Sequence, residues 1–312
     1  MPTMRSDDKV IAILSADIHL SINPPRARRD EPNWFRAMRK PLDDLFLLSS
    51  QYKAPILCAG DLFDHWRSEP ALINFALKYL PEMYAIPGQH DLPLHNIDLI
   101  EKSAFWTLCL CDRVIPVITE EPIAAPNNIV LHGFPWGKEI EPLENRIEGK
   151  HHIALVHKFI YKKGFGHPNA PRSQNTANYI KKVKGYDAVI FGDNHKGFEV
   201  NLGGVPVWNC GGFMRRNQDE KDSQPRIGLL CASGKILTHK LVTRSEKFKS
   251  TEEDFNEGNI RRNTEDMADV LHGLKDTAHK NLDYAEAIEF LMEKYTVKNN
   301  VRKILMEALE RE

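Results

Sequence analysis

The chain has 312 residues, 42% of them hydrophobic and 27% charged, with 42 Lys and Arg against 43 Asp and Glu. That balance fits one large globular domain with a smaller appendage and excludes a disordered or fibrous chain. The near-neutral total hides an asymmetry: residues 251–312 carry 9 Lys and Arg against 15 Asp and Glu, which leaves a surplus of five positive charges on residues 1–250, a mild bias toward an anionic substrate.

The opening "MPTMRSDDKVIAILSADIHL" holds only a short apolar run before Asp17. It lacks the core of a signal peptide, and no stretch approaches the roughly 18 apolar residues of a membrane span. The expectation is a cytoplasmic protein with no membrane contact. The cysteines, Cys58, Cys109, Cys111, Cys210 and Cys231, are odd in number and make no CxxC pair, so they read as buried thiols.

Taken in chain order, short apolar runs alternate with amphipathic segments. "KVIAIL" (9–14), "APILCA" (54–59), "EMYAI" (82–86), "NIVLHGF" (128–134), "HIALVH" (152–157) and "DAVIF" (187–191) have the length and apolarity of strands buried on both faces. Between them, Trp34 to Tyr52, Pro70 to Leu80, Ile97 to Cys109 and Asn175 to Lys184 have helical patterning. The alternation predicts an α/β fold. Beyond residue 200, "GVPVWNCGGF", "RIGLLCAS" and "KILTHKLV" predict a closing meander on the same domain. Residues 243–259 read as a polar linker, and the apolar spacing from Met267 to Leu309 predicts about three helices. The expected division is a catalytic domain over 1–245 and a linker with a helical C-terminal module over 246–312.

The chemistry lies at the strand ends. The first run closes in "SADIH" with Asp17 and His19, the second in "AGDLFDH" with Asp61 and Asp64, and the third in "PGQHD" with Gln89, His90 and Asp91. The fifth closes in "VHKF" with His157 and the sixth in "FGDNHKG" with Asp193 and His195. Open α/β sheets bind ligands in the crevice beyond the carboxyl ends of their strands. A lone Asp-x-His or a Gly-Asp turn is ordinary local structure, but five such clusters at five strand ends predict one convergent site. Carboxylates and imidazoles without thiolates suit manganese, iron, magnesium or zinc in a hydrolytic site. The candidates are too many for one tetrahedral ion and suit two octahedral ions about 3.5–4 Å apart, which clamp the attacking and leaving oxygens of an in-line phosphoryl displacement and lower the pKa of a bridging water. The expected reaction is hydrolysis of a phosphate ester.

With "DIH", "GDLFD", "GQHD", "VHK" and "GDNH" in this order over about residues 11–197, the chain resembles the calcineurin-like metallophosphoesterases. The resemblance implies a four-layer α/β/β/α sandwich and two divalent metal ions, manganese foremost, with magnesium, iron and zinc as alternatives. Carried over position by position, it assigns Asp17, His19, Asp61 and His195 to the first metal, and Asp61, Gln89, His157 and Asp193 to the second. His90 becomes the general acid, Asp91 orients its ring, and Asp64 joins the catalytic set. Two positions depart from the family pattern, which generally has Asn where Gln89 stands and His where Asp193 stands. Both replacements can ligate through oxygen, and the added carboxylate favours harder ions.

Within the superfamily, "GDLFD" followed by "RSEPALINFAL" and "AIPGQHD" is similar to the SbcD-type DNA double-strand-break-repair nucleases. This narrower resemblance implies a manganese-dependent DNA exonuclease, also able to nick single strands, that works beside an SMC-like ATPase docked by the C-terminal helices. A homodimer is a further expectation. Lys158, Lys162 and Lys163, followed by Arg172, Lys181, Lys182 and Lys184, with Phe159, Tyr161 and Phe165 interleaved, form a candidate DNA-backbone loop. Arg215 and Arg216 are candidate phosphate contacts. The competing expectations are a phosphatase or phosphodiesterase acting on nucleotides or other small phosphoesters, and a non-catalytic scaffold that binds a partner through its helical tail.

Overall fold

The structure is a computed structural model that describes residues 9–166 and 170–242. The linker and helices expected over 246–312 lie outside the described residues. The strands, in chain order, are β1 (Val10–Ser15), β2 (Ile56–Cys58), β3 (Met83–Ala85), β4 (Val114–Pro116), β5 (Ile123–Ala125), β6 (Ile129–Phe134), β7 (His151–His157), β8 (Ala188–Gly192), β9 (Phe198–Leu202), β10 (Val205–Asn209), β11 (Arg226–Cys231) and β12 (Ile236–Lys240). They build two six-stranded mixed sheets, ordered β12-β11-β1-β2-β3-β4 and β5-β6-β7-β8-β10-β9. β1 to β4 run parallel, as do β6, β7, β8 and β10.

The sheets face each other across an apolar layer. Ala12 and Leu14 of β1, Leu57 of β2, Leu131 of β6, Ile153 and Leu155 of β7 and Ile190 of β8 are buried there. Val10 and Ile13 of β1 point the other way, toward the helices. That break in strict alternation follows from an irregularity between Val10 and Ala12 in the pairing with β11.

The outer face of the first sheet is covered by α1 (Trp34–Tyr52), α2 (Pro70–Tyr79) and α3 (Ala104–Leu110). α1 starts where the Asn33 side chain accepts the Arg36 N–H at 2.9 Å, and it stops at Lys53 in a left-handed conformation (φ 50). Trp34, Met38, Leu42, Leu45 and Leu48 form its buried stripe, each full burial of such a side chain contributing about 1.5–3 kcal/mol. α2 begins with Pro70 in its first turn, where no N–H is required.

Several expectations change. The helix expected over Ile97 to Cys109 divides at Ser103, whose hydroxyl caps α3 by accepting the Trp106 N–H at 3.1 Å, leaving a 3-10 helix over Ile97–Lys102. The helix expected over Asn175 to Lys184 is a 3-10 turn at Thr176–Tyr179 followed by further turns, because the Asn175 side chain accepts the Ala177 N–H at 3.0 Å and closes a tight turn. Its Tyr179 and Val183 cover the outer face of the second sheet, packing near Val189 and Phe191. The closing strands are not one meander. β9 and β10 extend the second sheet, whereas β11 and β12 return to the first, beside β1.

Candidate metal centre

The carboxyl ends of the parallel strands in both sheets converge. His157, last in β7, reaches across with Nδ1 to the carbonyl of Ala59, just beyond β2, at 2.6 Å. At this junction Asp17 (φ 52), His19 (φ 49), Asp61 (φ 54) and Asp193 (φ 81) all adopt left-handed backbone conformations, each costing an L-residue roughly 1–2 kcal/mol. Tertiary bonds hold them there. Asp17 donates its N–H to Gly60 O at 2.9 Å, His19 to Asp61 O at 3.0 Å, and Asp193 to the Asp17 carboxylate at 3.0 Å. The motif glycines permit the approach: a Cβ on Gly60 would lie 2.2 Å from His157 Nδ1, and one on Gly88 2.0 Å from Asp61 Oδ1.

Around this junction the side chains crowd together. His19 Nε2 and His195 Nε2 face each other at 3.1 Å, and Asp61 Oδ2 stands 3.7 Å from His19 Nε2 and 3.4 Å from His157 Nε2. Ligand-capable atoms of Asp17, His19 and His195, of Asp17, Asp61 and His157, and of His19, Asp64 and His90 lie within 4.8 Å of one another in each group. Gln89 joins at one side, its Oε1 2.6 Å from His157 Nε2 and its Nε2 donating to Asp193 Oδ1 at 3.0 Å.

Burial makes this density of charge expensive. Burial raises the Asp17 carboxyl to about 7. Burial would also raise Asp61, but the adjoining His157 outweighs it and holds that carboxyl below the usual range. Burial alone would lower His157 and His195; the Asp61 carboxylate raises the first to about 10, and the hydrogen bond to Glu220 raises the second to about 9. Opposite charges therefore sit side by side here, with Asp61 ionised and His157 and His195 holding their protons against burial.

The donor set fits the divalent ions it predicts. Asp61 Oδ2 and His19 Nδ1 are buried without a hydrogen-bond partner, although a buried carboxylate oxygen is normally satisfied. His157 bonds Ala59 O, His90 bonds Asp64 O at 2.8 Å, and His195 bonds Glu220 Oε1 at 2.7 Å, each through Nδ1. A proton fixed on Nδ1 leaves Nε2 as the ligating or titrating atom. Asp17, His19, Asp61, His157 and His195 would therefore hold metal, with Gln89 and Asp193 adjoining.

Other assignments shift. Asp91 does not orient His90. Its buried carboxylate accepts the N–H groups of Leu62, Phe63 and Gly88 at 3.1, 2.9 and 3.0 Å, so it ties the "GDLFD" and "PGQHD" turns together, while the Asp64 carbonyl holds the His90 ring. The Asp64 side chain lies 3.5 Å from His19 Nδ1 and 2.7 Å from the Arg216 guanidinium. Arg216 is buried and also donates to His19 O at 2.5 Å, so it braces the site. Arg215 donates to Lys221 O at 2.6 Å. In the basic loop, Lys158 and Lys182 both pair with Glu139, and Lys162 donates to Glu199 O at 3.1 Å; Lys163 is exposed. Two of the loop's cations therefore share one carboxylate.

Sequence reasoning missed Glu220. It lies 25 residues after His195 in a polar stretch with no strand pattern, and its role is purely tertiary. Its Oε2 accepts the N–H groups of Arg216 and Asn217 at 2.5 and 2.9 Å, while Oε1 holds His195. One carboxylate therefore joins a candidate metal ligand to the loop that carries Arg216.

Two facing α/β sheets with carboxylate and imidazole donors gathered at their carboxyl edges define a metallophosphoesterase-type protein. The chain belongs to the calcineurin-like phosphoesterase family, whose model matches residues 12–197; its members depend on a dinuclear metal centre. No curated protein matches the sequence. Among solved structures, the chain is similar to TT1561 of Thermus thermophilus, at 16% identity over 75% of this chain and 99% of that one, with a TM-score of 0.43. A putative 5'-nucleotidase from Staphylococcus aureus, solved with alpha-ketoglutarate, is 13% identical over 82% of this chain and 58% of that one, with a TM-score of 0.44. A novel archaeal phosphodiesterase is 12% identical over 74% of this chain and 99% of that one, with a TM-score of 0.37. Among the described residues, no helix is long and apolar enough to cross a membrane.

Proposed function

We propose that this chain hydrolyses phosphodiesters with two divalent cations, manganese foremost, and that DNA is its substrate. The observation that carries the hydrolytic reading is the orphaned Asp61 Oδ2, buried between His19 and His157. Bound ions would supply Lewis-acid activation of the phosphoryl group and a nucleophile at neutral pH. His90, held through Nδ1 by Asp64 O, serves through Nε2 as the proton donor to the leaving oxygen. Arg216, through Asp64 and His19 O, keeps the neighbouring ligands in place.

DNA is favoured by the resemblance of "GDLFD" and "AIPGQHD" to repair nucleases. The pairing of Lys158 and Lys182 with Glu139 favours a second reading, a small phosphoester or nucleotide. Digestion of an end-labelled duplex with manganese, beside a chromogenic small diester, separates the two. Duplex cleavage that disappears in His90→Ala supports the nuclease; cleavage of the small ester alone transfers the assignment to the second reading.

A further inference from the structure

β6 runs beside β7 with Phe134 opposite Val156, so the chain leaves β6 one strand away from His157. There it delivers Trp136 to the edge where its neighbours deliver metal ligands. The Trp136 ring stands edge-on to His157, with centroids 6.4 Å apart, and lies 6.3 Å from the ring of His95. Its backbone N–H bonds Pro87 O at 3.3 Å, which ties it to the turn bearing Gln89.

His95 is anchored to the same turn. Its Nδ1 bonds Gln89 O at 3.0 Å, which places a proton on Nδ1 and, in the neutral ring, makes Nε2 the acceptor. Leu94 and His95 are consecutive non-glycine residues at φ 53 and 56, and Leu94 is 44% exposed. A leucine with positive φ is a steric outlier, and leaving its side chain in water adds to the expense. The conformation is held by His95 N–H to Leu92 O at 3.1 Å and Asn96 N–H to Pro93 O at 3.0 Å. Backbone strain of this kind concentrates where proteins hold ligands.

We propose that Trp136, His95 and Leu94 form a subsite that stacks a nucleobase attached to the sugar next to the scissile phosphate. The proposal rests on the phosphodiesterase reading above and names the part of the substrate that the metal centre does not touch. An indole bordered by an imidazole acceptor suits a planar ring whose edge carries a hydrogen-bond donor. A simple alkyl group would meet Leu94 and Trp136 but leave His95 without a partner. Phe165 of the basic loop is less suited, since it packs against Phe198 with centroids 5.8 Å apart.

Two esters with the same leaving group test the subsite: the p-nitrophenyl ester of thymidine 5'-phosphate and p-nitrophenyl methyl phosphate. The ratio of their kcat/KM values is expected to fall roughly 5- to 150-fold in Trp136→Ala, the range for losing one stacked base, to recover in Trp136→Phe, and to fall less in His95→Ala. A ratio within about twofold of the unaltered protein in both alanine variants overturns the proposal. If the unaltered protein cleaves neither ester with any of the four metals, the phosphodiesterase reading fails. Fluorescence of 2-aminopurine nucleoside monophosphate then decides the subsite alone, in the presence of magnesium. Quenching by the unaltered protein that is lost in Trp136→Ala and His95→Ala supports stacking, and equal quenching by all three proteins rules it out.

Discussion

Two pairs of histidines face each other in this domain, and they are built in opposite ways. His132 Nε2 and His152 Nδ1 are 2.9 Å apart, and His152 Nε2 accepts the Ile147 N–H at 2.9 Å. This pair is a closed hydrogen-bonded chain, and burial keeps both rings neutral, lowering His132 to about 4. His19 and His195 are nearly as close, at 3.1 Å, but His19 Nδ1 has no hydrogen-bond partner, and the Glu220 carboxylate raises His195 to about 9 against the effect of burial. Two imidazoles in contact therefore do not define a metal site. Surrounding carboxylates with unsatisfied oxygens do.

The comparison breaks first at Asp61. Asp61→Asn keeps the shape but removes the charge that His19 and His157 face, and turnover is expected to fall by roughly a thousandfold or more, as several kcal/mol of metal-derived stabilisation are lost. Calorimetric titration with manganese should show weakened binding. Full turnover in this variant would place the reaction elsewhere. His90→Ala comes next. Loss of a general acid lowers turnover by about a hundredfold to a thousandfold, while manganese binding stays intact. A comparable loss of binding would make His90 a ligand instead.

A smaller effect is expected at Glu220. Replacing the carboxylate behind a ligating histidine typically weakens metal affinity about 10- to 100-fold. Glu220→Gln should show that loss, and saturating manganese should restore most of the turnover. Failure of excess metal to restore it would mean that Glu220 acts chiefly through the Arg216 loop.

The legible parts of this site were those in which ligand and strand share a few residues of sequence. "SADIH", "AGDLFDH" and "FGDNHKG" place a ligand within a short step of an apolar run, so the topology alone gathers Asp17, Asp61 and His195. Glu220 meets His195, and Trp136 comes to lie beside His157, through tertiary contacts that no periodicity records. Asp91 was given the role of orienting His90 by carrying over the family pattern, whereas the folded turn directs its carboxylate to the backbone of Leu62 and Phe63. The pairing of Lys158 and Lys182 with Glu139 was hidden for a different reason: Glu139 is distant from both in sequence. The break at Ser103 was hidden because a single capping hydroxyl overrides a continuous apolar stripe.

The smallest expected effect is on stability, and it separates the histidine pairs by sign. In the fold, His132 takes its proton near pH 4, against 6.5 for an ordinary histidine. Between those values the unfolded chain binds more protons at this ring, so the His132 contribution falls as pH drops from about 6.5 toward 4, while Asp17, raised to about 7, contributes in the opposite sense over that range. His195 in the metal-free protein has a raised pKa of about 9, so its contribution is complete below 6.5 and is lost as pH rises through 9. In urea denaturation with a chelator present, the stability difference between His132→Asn, which keeps an acceptor for the His152 N–H, and the unaltered protein should change between about pH 6.5 and 4 and stay constant through the alkaline limb. Glu220→Gln should lessen the loss through about pH 9, because His195 then loses the carboxylate that raised it, and leave the loss near 10 that His157 causes. If both variants alter the same limb, the two pairs are not the independent units their hydrogen bonds describe.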